Sequence, residues 1–197
     1  VNQGNQGFLN ELFKLYKGWI QTELIFVDGE LSPWNFKNIV SCALRLGEFK
    51  WTEKFIQSYN SFLPNDFREN SVSFNLAQLY YYQKQWDKVI ELLRTVEYED
   101  FTYNLNSKSI LLITYYETDE IEALYSLFES FRVYLNRHKD FPEHRRMMYF
   151  NLIKYTKRLT KIMPDDKASL IKLREEINKT KYLSGESWLK EKIAELE

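Results

Sequence analysis

Cysteine occurs once, at Cys42, so the chain can form no internal disulfide and its cysteine usage does not imply an oxidising compartment. Only six glycines and four prolines are present, too few for the many tight turns of an all-β domain of 197 residues. Histidine is as scarce. His138 and His144 stand six apart across Pro142, which fits no common metal spacing, and no cysteine pair supports them. No long apolar run occurs: the best stretch, Trp19 to Val27, is broken by Gln21 and Glu23, so no membrane span and no membrane partner are expected. A net charge of −1 gives no global reason to bind nucleic acid or an anionic surface. The motifs of catalysis are missing as well. There is no phosphate-cradling glycine loop and no Gly-x-Ser-x-Gly elbow. The paired carboxylates Asp119-Glu120 and Glu175-Glu176 fall in a turn or on a polar helix face, where nothing shields them for acid–base work. The expectation is a non-enzymatic cytoplasmic protein with no cofactor, no metal and no small-molecule substrate. No signal peptide is visible, but the chain opens on Val1, not Met, with a ragged stretch over residues 1–7. It reads as part of a longer protein, which leaves a removed export signal open.

Aromatic residues and helical periodicity fill the space these absences leave. Phenylalanine and tyrosine occur 14 times each and tryptophan five times, enough apolar area for a substantial core. Apolar positions recur at helical spacing almost throughout. Residues 8–26 are expected to form a first helix that Asp28-Gly29 ends. Ser32-Pro33 then supplies a start signal for a helix over 34–46 that stops at Gly47. Further helices are expected over 49–62, 70–83, 86–96, 103–116, 121–135 and 142–162. Two more follow, one opened by Pro164-Asp165-Asp166 and running to Thr180, and a terminal one after Ser184-Gly185 that carries Trp188. Loops are expected at 63–66, in an acidic connector at 97–100 and in a short turn at 117–120. The fold class is all-α, about ten antiparallel helices in a single domain.

The stretch Phe74 to Val96 spells two amphipathic helices joined by a tight turn, and weaker copies flank it. Leu76, Ala77, Tyr80, Trp86, Val89 and Leu93 follow the pattern of the tetratricopeptide repeat, which the chain resembles in three degenerate copies over roughly residues 34–131. Ile39, Val40, Ala43, Gly47, Phe49, Thr52 and Ile56 repeat the scheme, as do Leu111, Leu112, Ala123 and Leu127. Thr52, Val89 and Ala123 stand at the small position of helix B, where bulk sets how closely the paired helices approach. A glutamate at Ala123 is therefore expected to bury a charge and spoil cooperative unfolding. The resemblance implies a right-handed α-α superhelix whose helix-A face forms a concave groove for a peptide or a partner helix. Carried over, that face comprises Lys37, Ser41, Leu44 and Arg45 in the first copy. The second copy gives Phe74, Gln78, Tyr81 and Tyr82, and the third gives Ser109, Ile113 and Tyr116. One subclass of the family clamps a terminal carboxylate with lysine, asparagine and arginine; here Ser41, Asn106 and Ile110 occupy three of its positions, so the charge-assisted bonds are lost. The helix over 184–197 is expected to cap the stack, and Cys42 to be a small core residue.

Charge is unevenly spread. Residues 87–131 carry ten acids against three bases, and 132–161 carry nine bases against two acids. A basic ridge of Arg145, Arg146, Lys154, Lys157 and Arg158 beside aromatic rings offers the alternative function, binding nucleic acid or another anionic partner. Its plainer reading is a solvated face offset by acidic neighbours. The leading expectation is a protein or peptide partner in the groove. A structural module without its own ligand is the third reading, and the oligomeric state is open.

Overall fold

The computed structural model describes residues 6–94, 101–163 and 165–197. Of the expected ragged opening at 1–7, residues 1–5 lie outside them, as do the acidic connector at 97–100 and the Pro164 start, while Gln6 and Gly7 are helical. Among the described residues the chain is all-α, with ten α-helices and one short hairpin. They fall into two compact units that divide at Thr114/Tyr115, inside a helix.

In the first unit α1 (Gln6–Gln21) is shorter than the expected helix over 8–26. Glu23, at a φ of 58°, ends the helical path, and Phe26–Val27 (β1) pairs antiparallel with Glu30–Leu31 (β2). Asp28 and Gly29 both have positive φ, 51° and 80°, the combination a two-residue hairpin turn needs. Then come α2 (Pro33–Arg45), α3 (Phe49–Tyr59) and a 3-10 turn over Asn60–Phe62. The next helix, α4 (Asn65–Tyr82), begins directly after Pro64, well before the expected start at 70, because proline cannot continue the preceding chain but readily opens a helix. α5 (Trp86–Leu93) and α6 (Phe101–Glu117) follow. α2 packs on α1, α3 and α4, while α4 packs also on α3 and α5. The core gathers Leu31, Phe36, Ile39, Val40 and Leu44 with Phe55, Ile56, Leu63 and Leu79. A second cluster joins Leu9 and Phe13 to Cys42 and Ala43; the Cys42 thiol is buried, donates weakly to the Leu9 carbonyl at 3.6 Å, and is held protonated by that burial.

The second unit contains the end of α6, then α7 (Ile121–Arg137), α8 (Glu143–Leu159), α9 (Lys167–Lys179) and α10 (Glu186–Leu196). α7 packs on α8, and α10 packs on both α8 and α9. Buried apolar residues at helical spacing line each: Leu124, Phe128, Phe131 and Leu135 on α7, and Leu170, Leu173 and Ile177 on α9. Between α8 and the segment that leads into α10, the hydroxyls of Tyr155 and Thr180 share a hydrogen bond of 2.6 Å, and Asn151 donates to the Tyr182 carbonyl.

Three links are built alike. α2–α3, α4–α5 and α6–α7 are each joined by three residues, and the middle one is left-handed: Gly47 at φ 76°, Lys84 at 55° and Asp119 at 56°. In each, the residue after it donates its N–H five places back, Glu48 to Ala43, Gln85 to Tyr80 and Glu120 to Tyr115, at 2.9–3.0 Å. Its own carbonyl then accepts the first bond of the next helix, from Thr52, Val89 and Leu124. The pattern closes one helix and opens the next with no orphaned turn. The third turn is therefore not short. Counted from these turns, the third partner of Thr52 and Val89 is Leu124 and not Ala123: all three are fully buried, whereas Ala123 is half-buried. A glutamate at Ala123 would keep access to water.

Candidate functional site

Counting back from the left-handed turn residues brings the expected groove positions into register. Ser41 and Gln78 lie at the same place in their helices, and the Ser41 hydroxyl donates to the Gln78 side-chain oxygen at 3.3 Å. Arg45 and Tyr82 also share a place, next to the turn, and lie within electrostatic reach. Burial pushes the Tyr82 hydroxyl above its ordinary pKa, and the Arg45 charge partly opposes that. Both are exposed, Tyr82 by 41%. Tyr81 is half-buried, its ring edge-on to Tyr82 at 6.0 Å and to Trp86 at 5.7 Å. Arg45, Gln78, Tyr81 and Tyr82 thus form one patch across α2 and α4.

Lys37 and Phe74 do not line an open groove. The N-terminal end of α6 carries Tyr103 over them, and the Tyr103 hydroxyl donates to the Pro33 carbonyl at 3.1 Å. The Lys37 ammonium is held among the rings of Trp34, Phe74 and Tyr103, at 4.6–5.6 Å from their centroids. Lys37 keeps 8% exposure and Phe74 1%, so both belong to the packed interior. Leu44, Ser109 and Ile113 are buried too. Sequence periodicity could not show this, because the covering residue comes from a helix some seventy positions away.

Tyr116 lies in the second unit, where α10 covers it. Trp188 meets the Tyr116 ring edge-on at 5.2 Å, and its indole N–H donates to Glu117 at 2.6 Å. The Lys192 ammonium, with its side chain only 7% exposed, lies 3.0 Å from Glu117 and 2.7 Å from Glu195. Burial works to lower its pKa, but hydrogen bonds and charge from Glu195 and Glu117 outweigh that and raise it. Glu117 stands two places before the left-handed Asp119, as Arg45 and Tyr82 do before Gly47 and Lys84. Sequence reasoning passed it over as a turn residue.

The basic ridge resolves into separate attachments. Arg146 is half-buried and donates to the carbonyls of Phe141 and Leu135, four residues after Pro142. Arg68, four residues after Pro64, does the same for Ser61 and Leu63. These two arginines tie down the loops that enter α8 and α4. Lys157 pairs with Glu129 at 3.2 Å, and Arg158 binds Glu176, whose carboxyl is held below its ordinary pKa chiefly by that bond. Arg145 and Lys154 are exposed, each over an aromatic ring, Phe141 and Tyr155. Acids of α7 and α9 thus offset Lys157 and Arg158.

Two clefts lie beside α1 in the first unit, of about 270 and 560 Å³. Trp51, Phe55 and Tyr59 line the smaller; Phe26, Tyr59 and Phe62 line the larger. Trp51, Phe55 and Tyr59 stack along α3 with centroids 5.1–5.2 Å apart. Among the described residues no group of three metal-ligating side chains converges, and no helix is long and apolar enough to cross a membrane. No protein-family model matches the chain, and neither a curated protein nor a solved structure matches it.

Proposed function

We propose that the chain is a TPR-like α-α superhelical scaffold that binds a segment of another protein on the face shared by α2 and α4, without a cofactor. Three links of one geometry, 37 and 35 residues apart, support the repeat reading. So does the packing of α4 on the whole preceding helix pair as well as on its own partner α5. The observation that carries the binding reading is the exposed pair Arg45–Tyr82, aligned between neighbouring copies above the Ser41–Gln78 hydrogen bond. Tyrosine offers a stiff apolar body with a hydrogen-bonding tip, and arginine offers a charge-assisted bond to a carboxylate or carbonyl.

The test is affinity capture from source-cell lysate by the wild type and by Tyr82→Ala, with and without nuclease and at low and high salt. A protein held by the wild type, indifferent to nuclease and lost in the variant, supports the face. Capture that survives Tyr82→Ala but disappears with nuclease and rising salt moves the function to the exposed cations of the ridge.

A further inference from the structure

We propose that the outer face of α1 is a self-association surface that takes the same face of a second copy of this chain, helix against helix in antiparallel order. Two stripes run side by side along α1. Leu9, Phe13, Tyr16 and Ile20 turn inward, with Leu9 and Phe13 at 5% exposure and Ile20 at 8%. Phe8, Leu12, Leu15 and Trp19 form the neighbouring stripe with the same steps of four, three and four. Phe8 is 56%, Leu15 52% and Trp19 42% exposed, while Leu12 is half-buried, with one side on the Leu9, Phe13, Cys42 and Ala43 cluster. A scattered exposed leucine needs no explanation; four apolar residues at steps of four, three and four make one continuous stripe of the kind that packs against another helix.

The stripe is complementary to itself, which is the reason to name a second copy as its occupant. A two-fold axis across the helix between Phe13 and Lys14 sets Leu12 against Leu15 of the second copy and Phe8 against Trp19. Rings then meet rings at both ends and leucines meet in the middle, so every layer is filled equally in both chains. Antiparallel order also opposes the two helix dipoles favourably. Beside the seam, Gly18 leaves room for close approach: a Cβ there would meet nothing within 4 Å. The Glu11–Lys14 ion pair of 2.8 Å lies along the edge of the seam, with both side chains exposed. Four side chains offer on the order of 350 Å² per copy, against about 800 Å² for a standard stable interface, so the dimer is weak and reversible.

Sedimentation velocity over roughly 5 µM to 1 mM tests this, a range set by the weak affinity that so small a seam allows. The wild type is expected to climb toward twice the monomer mass, and Leu15→Glu to stay monomeric with an unchanged melting curve, because position 15 is outside the core. Register is tested by mixing Leu12→Cys and Leu15→Cys chains under mild oxidation. The mixture should give a cross-linked dimer that neither chain gives alone, and buried Cys42 remains silent. A wild type that stays monomeric throughout, or a Leu15→Glu chain that associates equally well, overturns the proposal. Ready cross-linking of Leu12→Cys chains to one another overturns the antiparallel order.

Discussion

The Ser41 hydroxyl donates to the Gln78 side chain at 3.3 Å, and each residue stands six places before the left-handed residue of its own turn. A contact between equal places means that α2 and α4 meet in register. The same count pairs Arg45 with Tyr82, so the exposed patch follows from the turns and does not depend on any one side chain. In the second unit the count reaches Glu117, where α10 supplies Trp188 and Lys192 as intramolecular partners. The position two before the left-handed residue is thus exposed at Arg45 and Tyr82, and at Glu117 it is bonded to α10.

The turns make the first prediction. Gly47 fits its φ of 76° without strain, but Asp119 holds 56° against a side chain. Asp119→Gly is expected to stabilise the protein by about 0.5–1 kcal/mol and Gly47→Ala to destabilise it by about 1 kcal/mol. Urea denaturation measures both. Opposite signs support one shared geometry; equal signs refute it.

A second concerns the loop-tying arginines. Arg68→Ala removes bonds of 2.9 and 3.0 Å to the carbonyls of Ser61 and Leu63, and Arg146→Ala removes longer ones to Phe141 and Leu135. Hydrogen bonds from a charged donor contribute about 1.5–3 kcal/mol, so Arg68→Ala should cost about 2 kcal/mol and Arg146→Ala about 1 kcal/mol. Exposed Arg145→Ala should fall within about 0.5 kcal/mol of the wild type. Chemical denaturation of the three variants separates structural from surface cations.

These arginines also mark where the sequence stopped being legible. Helix number and the inward stripes could be read because periodicity is a local signal, and α10 was visible through Gly185 and Trp188. The face on α2 and α4 was legible in part: Arg45, Gln78, Tyr81 and Tyr82 do share it. Lys37 and Phe74 did not, since Tyr103 covers them from a distant helix. Ridge residues were read by charge and by neighbouring aromatics, which cannot distinguish Arg146 on two carbonyls from exposed Arg145. Asp28-Gly29 between Phe26-Val27 and Glu30-Leu31 was a hairpin signal that the stronger helical pattern before it obscured.

At acid pH the cap of α9 should fail first in a defined way. The Asp166 carboxylate accepts the Ser169 N–H at 3.0 Å, and that bond lowers its pKa below the ordinary aspartate value. A lowered folded-state pKa means stability that is present above the unfolded value and lost as pH falls through the folded one. Asp166→Asn keeps an acceptor that does not titrate in this range, so the melting-temperature difference between wild type and variant should shrink between pH 5 and about pH 2. An unchanged difference across that range would sink the assignment.

The buried ammonium gives the alkaline counterpart. Lys192 binds its proton more tightly when folded, because Glu195 and Glu117 outweigh the cost of its burial. Its contribution is complete at neutral pH and is lost as pH rises through the elevated folded value. Glu117→Gln keeps an acceptor for the Trp188 indole but removes one of the two charges facing Lys192. Breaking a buried pair outright costs about 3–5 kcal/mol, and the remaining Glu195 should hold the loss to about 1–3 kcal/mol. The variant should also lose less stability than the wild type as pH rises above the ordinary lysine value, from about pH 10 to about pH 12, followed by thermal melts at each pH. A variant as stable as the wild type would mean that Glu195 alone satisfies Lys192. The hold of α10 on the end of α6 would then rest on the Tyr116–Trp188 ring contact and the indole bond alone.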